Sequence, residues 1–225
     1  MRMNVWMKSL GAAALAVDGV TDPRGDYVAG FTGSMLGDLD VLSSFVAYNA
    51  ASDKFYFSGS FAAAVGTTPG GFCVWGVNRG AGTAGFAANG VPGVPFDSVV
   101  VFNQHGSARI AGTTPATLLP AGSVQISGAT ISGEIDGSLL PSTGFAKTAC
   151  TWNLWPRDGR LAGFAAISDF APDNSNLTVA LVPEPSTFGL LAVGLGALAW
   201  RTRRGAGVGV GLAPGTGPRR RAGAA

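Results

Sequence analysis

The amino-acid sequence predicts an all-β protein: a single β-sandwich-like domain, with an open barrel as the second arrangement, followed by one C-terminal membrane helix. Three observations point there. Between residues 17 and 182 no stretch carries the 3.6-residue apolar period of an amphipathic helix, while at least eight short segments alternate or run apolar between Gly, Pro, Asn and Asp punctuation. Charged residues make up only 12% of the chain and glycines number 35, about half and about twice the usage of ordinary soluble domains. Residues 188–200 run without a single charge and are followed at once by arginines, a pattern no β-domain requires.

Residues 18–40, DGVTDPRGDYVAGFTGSMLGDLD, are broken by Asp, Gly and Pro and read as an extended, turn-rich lead-in. Residues 41–48 and 54–61 are expected to be strands around a turn at 49–53. In the second, Phe55, Phe57 and Phe61 alternate with Lys54, Tyr56, Ser58 and Ser60, which gives one aromatic face for a core and one wetter face. Residues 72–77 follow a Thr-Thr-Pro-Gly-Gly turn and place Cys73 and Trp75 on one face of a strand; residues 78–90 read as loop. Beyond Pro92 and Pro95, residues 98–102 and 108–111 suit a hairpin around 103–106, and 124–127 with 130–135 repeat it around Gly128 and Ala129. Residues 149–154, 161–167 and 177–181 complete the predicted strands.

The ends divide the chain further. Residues 1–16 outline a candidate signal peptide: Arg2 and Lys8, a small uncharged stretch, then Ala14 and Ala16 flanking Leu15 as an A-x-A cleavage site. Residues 17–181 form the expected exported β-rich domain. Residues 205–225 are a basic, Gly/Pro/Ala-rich extension whose composition cannot build a packed core and reads as disordered. Between residues 17 and 185 there are seven Lys/Arg against thirteen Asp/Glu, 7 − 13 = −6, so the net +2 of the whole chain comes from its ends. An acidic body gives no reason to expect a nucleic-acid partner.

In the C-terminal stretch, residues 182–204, Pro183-Glu184-Pro185 come first, then Ser186 and Thr187, the uncharged run bounded by Phe188 and Trp200, and Arg201, Arg203 and Arg204. As a helix the run would span roughly 20 Å, shorter than the roughly 30 Å hydrocarbon core of a bilayer, so its flanks decide. Proline cannot sit inside a helix, which leaves Ser186 or Thr187 as the cap. Trp200 suits the headgroup boundary, and the arginines hold that end in the cytoplasm, with everything before Val182 outside. These three parts in this order resemble the PEP-CTERM sorting signal, over about the last tenth of the chain. Family members usually end within a few residues of the arginines, whereas this chain continues. The resemblance implies a partner, exosortase, a membrane protease or transpeptidase with a cysteine nucleophile, which removes the tail near Pro-Glu-Pro. This chain would be its substrate, held briefly in the inner membrane and then delivered to the cell surface or extracellular matrix.

An even pair of cysteines, Cys73 and Cys150, fits an oxidising compartment and a disulfide. Closing 150 − 73 = 77 residues would stabilise by on the order of 4 kcal/mol through loop-closure entropy. Two buried free thiols are the alternative. His105, the single histidine, is expected in a hairpin turn, without a nucleophile elbow or a second ligand for zinc. Asp38 with Asp40, and Glu134 with Asp136, each put two carboxylates on one extended face. That spacing suits glycoside hydrolysis, yet solvated strand ends are the simpler reading. Calcium is the one cofactor considered: Asp22, Asp26, Asp38 and Asp40 crowd one turn-rich stretch and Asp169, Asp173, Asn174 and Asn176 another, with Asp169, Asp173 and Asn174 the favoured ligands. Neither stretch is a complete EF-hand loop. Trp75, Trp152 and Trp155 read as core side chains rather than sugar platforms, and the sequon Asn176-Leu177-Thr178 as coincidental. The expected protein is therefore a non-catalytic bacterial surface or matrix component, structural or adhesive, with extracellular polysaccharide as a further partner. A surface carbohydrate-binding module or weak glycosidase is the alternative.

Overall fold

Two open six-stranded sheets and a two-stranded ribbon carry the strands of the described residues, which are 19–112 and 116–182 of a computed structural model. The chain divides into two units at Pro183 and Glu184, and the described residues belong to the first. The signal peptide, membrane helix and basic tail expected at 1–16, 188–200 and 205–225 lie outside them.

In chain order the strands are β1 (Val20–Thr21), β2 (Val41–Asn49), β3 (Lys54–Phe61), β4 (Phe72–Asn78), β5 (Thr83–Phe86), β6 (Val91–Phe96) and β7 (Ser98–Asn103). There follow β8 (Ala108–Ala111), β9 (Thr117–Leu118), β10 (Val124–Ser127), β11 (Thr130–Asp136), β12 (Thr151–Arg157), β13 (Leu177–Thr178) and β14 (Ala180–Leu181). One sheet runs β1-β2-β3-β11-β10, with β14 added parallel to β2; the other runs β13-β12-β4-β7-β8-β9. Both sheets are open, and neither closes into a barrel.

The alternation in β3 works as its sequence implies. Phe55, Phe57 and Phe61 are buried, and Lys54, Tyr56, Ser58 and Ser60 between them are half-buried. Phe57 meets Trp75 of the second sheet edge-on at 5.9 Å and Phe102 at 6.1 Å, while Trp75 and Phe102 lie 4.9 Å apart. Phe57 and Ile131 from one sheet and Trp75, Phe102 and Leu154 from the other thus share a single core. The polar edge of Trp75 is satisfied there, because its Nε1 donates to Ser44 Oγ at 3.2 Å.

The second sheet is covered on its other face as well. Val74, Val101 and Trp155 pack with Val94, Ile167 and Phe170 in a smaller cluster, and Phe86 and Phe96 of the ribbon lie 5.1 and 5.0 Å from Trp155. Burial on both faces explains why β4 and β12 show no two-residue apolar period; the one polar side chain inside β12, Asn153, is buried and donates to Pro172 O and Ser175 O. It also corrects two expectations. Residues 78–90 are not all loop: Thr83–Phe86 pairs with Val91–Phe96, where Pro92 and Pro95 are tolerated because the ribbon has free edges. Residues 161–167 are not a strand; a turn and the 3-10 segment Gly163–Ala166 carry Phe164 and Ile167 onto the outer cluster.

The disulfide expectation is overturned. Cys73 lies opposite Pro156 in the β4–β12 register, and Cys150 precedes β12 by one residue. Six residues of extended chain separate those levels by roughly 20 Å, far beyond the roughly 7 Å a bridge spans. Both thiols are free and buried.

Close packing on the outer face makes one position intolerant. A Cβ on Gly76 would collide with Cη2 and Cζ3 of Trp155, a ring only 2% exposed. Gly76→Ala is expected to destabilise by about 1–3 kcal/mol. A lowered midpoint in urea denaturation checks it; an unchanged midpoint would mean that the ring yields freely.

Candidate functional site

The lead-in is tied down by its own backbone. β1 pairs with β2 through Val20 and Ser44, and the Asp22 amide donates to Leu42 O at 3.0 Å. Gly25, at φ +84° in the turn that follows, donates its amide to both carboxylate oxygens of Asp40, each at 3.1 Å. The Val28 amide then reaches Ser168 O at 2.8 Å. From the far end of the sequence, Ser168 Oγ donates to Leu39 O at 2.7 Å, and Asp169 accepts from the amides of Val41 and Phe170, both at 2.8 Å. The start of β2 is therefore the post on which both acidic stretches hang.

The result is one corner with five aspartates. Carboxylate oxygens of Asp22, Asp26 and Asp173 lie within 4.8 Å of one another, as do those of Asp26, Asp40 and Asp169, so Asp26 is common to both groups. Asp40 and Asp169 are buried, Asp22 and Asp26 half-buried, and Asp173 exposed. Asp22 Oδ2 and Asp26 Oδ1 are buried atoms without a hydrogen-bond partner. None of the ion pairs among the described residues brings a Lys or Arg to any of the five. Asp26, Asp169 and Asp173 also line a cleft of about 300 Å³ walled by Tyr27, Phe164 and Phe170.

Crowding unneutralised carboxylates in a poorly solvated corner disfavours the charged forms of Asp22, Asp26 and Asp169. Burial, followed by repulsion from Asp169, Asp26, Asp173 and Asp40, pushes the Asp22 carboxyl up to about 8. Burial likewise raises Asp169 to about 7, with Asp26 and Asp40 adding to it, while the amides of Val41 and Phe170 oppose the rise. Asp26 is raised too, by burial first. Such a corner can be relieved by protons or by a hard cation. Oxygens on opposite sides of a calcium ion stand roughly 4.6–5.2 Å apart, a spacing these carboxylates match.

Of the ligands favoured from sequence, Asp169 and Asp173 belong to the cluster and Asn174 does not. Its Oδ1 accepts from the Gly93 amide at 2.8 Å, which fastens the loop to β6. Asn176 is likewise taken: its side-chain amide donates to Pro95 O at 2.8 Å and Thr151 Oγ1 at 3.1 Å, so the sequon nitrogen is engaged in the fold. Asp38 sits apart, accepting from Thr68 and Gln104. Asp density in residues 18–40 was the available signal for Asp22, Asp26 and Asp40, but nothing in it joins them to Asp169.

Of the other candidates, Glu134 and Asp136 come together on a shared cation, Lys54, whose Nζ lies 3.0 and 4.0 Å from their carboxylates. Asp136 also caps the turn at Ser138. His105 is exposed between β7 and β8. Trp75, Trp152 and Trp155 are 0%, 0% and 2% exposed, so no tryptophan of the three offers a face to a sugar.

Residues 181–204 match the family described as the PEP-CTERM protein-sorting motif. No curated protein and no solved structure matches the chain. The match defines a protein that carries a C-terminal sorting signal. In particular, the chain carries a PEP-CTERM sorting motif, and the motif implies export, membrane-anchored sorting and processing by an exosortase-like membrane enzyme.

Proposed function

We propose that this is a non-catalytic, structural or adhesive component of the cell surface or extracellular matrix, whose acidic corner takes up a calcium ion once the domain is outside the cell. The observation that carries the calcium reading is the convergence of Asp22, Asp26 and Asp40 with Asp169 and Asp173, including two buried carboxylate oxygens that lack partners. Calcium sites of extracellular modules operate at about 10⁻⁴–10⁻³ M, so a cation would join the β1 lead-in to the 168–173 loop after export and not before. A non-catalytic role is supported by the engagement of Glu134 and Asp136 with Lys54 and of Asp38 with Thr68. The carbohydrate-binding alternative draws no support from the buried tryptophans.

The test is made on the protein recovered from its native cells. Elemental analysis is expected to find about one calcium per chain, the number a single cluster of this size holds; metal-free protein that stays so in millimolar calcium would overturn the site. Replacing Pro183, Glu184 and Pro185 by alanine is expected to leave full-length chain in the membrane fraction. Normal release of that variant, seen by intact-mass measurement of the secreted material, would remove the sorting reading.

A further inference from the structure

The segment leading into the sorting signal is woven into both sheets. Leu177 and Thr178 pair with Trp152 and Thr151 of β12 in one sheet. The Val179 amide donates to Cys150 O at 2.9 Å, and its side chain, 4% exposed, belongs to the shared core. Ala180 and Leu181 then pair in parallel with Ala47 and Tyr48 of β2 in the other sheet. The Val182 amide donates to Tyr48 O at 3.0 Å, with Val182 itself 9% exposed. Sheet hydrogen bonding thus continues to the residue immediately before Pro183.

We propose that this crossover sets the upstream limit of tail processing: cleavage falls only at bonds C-terminal to Val182, and β13 and β14 remain in the mature domain as its closing strands. The proposal rests on the sorting signal being processed at all. A protease takes its substrate as an extended segment whose backbone groups are free to pair with the enzyme. Here the amides of Val179 and Val182 are committed to Cys150 and Tyr48, and the strand partners of residues 177–181 hold the rest. Admitting an enzyme upstream of Val182 requires local unfolding. Because β13 and β14 lie in different sheets with Val179 in the core between them, that opening is not a frayed end: it withdraws a core side chain and detaches both sheets at once. Pro183 is the first residue beyond these bonds. Whether water or an amine takes the acyl group, the peptide bond broken lies after Val182 and the downstream amine leaves with the tail.

The test is limited proteolysis of the purified full chain in detergent with proteinase K, read by intact mass, beside the mass of the mature protein from native cells. Resistant fragments and mature protein ending at residue 183 or later are expected. A fragment that ends between residues 177 and 182 while the rest of the body stays intact overturns the limit. A tail retained whole in cells counts against the sorting reading, and the proteinase K map then decides the limit alone. Val179→Asp, which places a charge in the core, is expected to turn cleavage upstream of residue 182 from undetected into the main product; if that variant does not fold, the wild-type map stands as the test.

Discussion

Calcium at millimolar concentration is expected to raise the melting temperature of the processed protein, and to raise it more at pH 8 than at pH 5. Without a cation, Asp22 and Asp169 hold protons in the folded state up to about 8 and about 7, whereas unfolded aspartates release them near 3.9. The folded state therefore binds more protons between those values. Its stability is fully present below about pH 4 and is lost as pH rises through about 7 to 8. Calcium needs the deprotonated carboxylates, so its effect grows over the same interval and offsets the loss. At a concentration one hundred times its dissociation constant, a ligand stabilises by about 2.7 kcal/mol, which is about 5–11 °C for a domain of this size. Scanning calorimetry in calcium and in chelator at the two pH values reads it directly, and identical midpoints in both would end the calcium reading.

Asp26→Asn sharpens that measurement, because Asp26 is shared by both groups of carboxylates. The variant is expected to lose the calcium response and, in chelator at pH 8, to melt at or above the wild type, since one of the mutually repelling charges has gone. A purely structural aspartate would give a lower midpoint in every condition.

Trp75→Ala is expected to be the most destabilising of the changes considered. The ring is 0% exposed and sits against Phe57 of the facing sheet and Phe102 of its own. Its removal leaves a cavity where the sheets meet and takes away the donor to Ser44 Oγ. Such truncations cost about 3–5 kcal/mol, a large share of the roughly 5–15 kcal/mol by which a domain is stable. Urea denaturation followed by far-ultraviolet circular dichroism is the check. A loss below about 1 kcal/mol, the size of a surface change, would mean that the shared core does not hold the sheets together.

How legible each part was depends on how far apart its determinants lie in the chain. β3 could be read residue by residue because one face is aromatic and the other wet, and the β7–β8 and β10–β11 hairpins because their turns are local. The β5–β6 ribbon was not, since two prolines in a row of six residues argue against a strand until a free edge is known. Residues 177–181 alternate like one strand, yet they serve two sheets, because the partners that divide them are β12 and β2.

By itself the sequence determined the all-β class, the acidic body and the sorting signal, for each is written in composition or in the spacing of neighbouring residues. Only the tertiary structure decided that Cys73 on β4 and Cys150 just before β12 stand far apart, and that two acidic stretches form one corner. The physical reason is distance along the chain. Asp169 meets the Val41 amide across 128 residues, and a contact of that kind is set by the order in which strands pair, which no local pattern of side chains records.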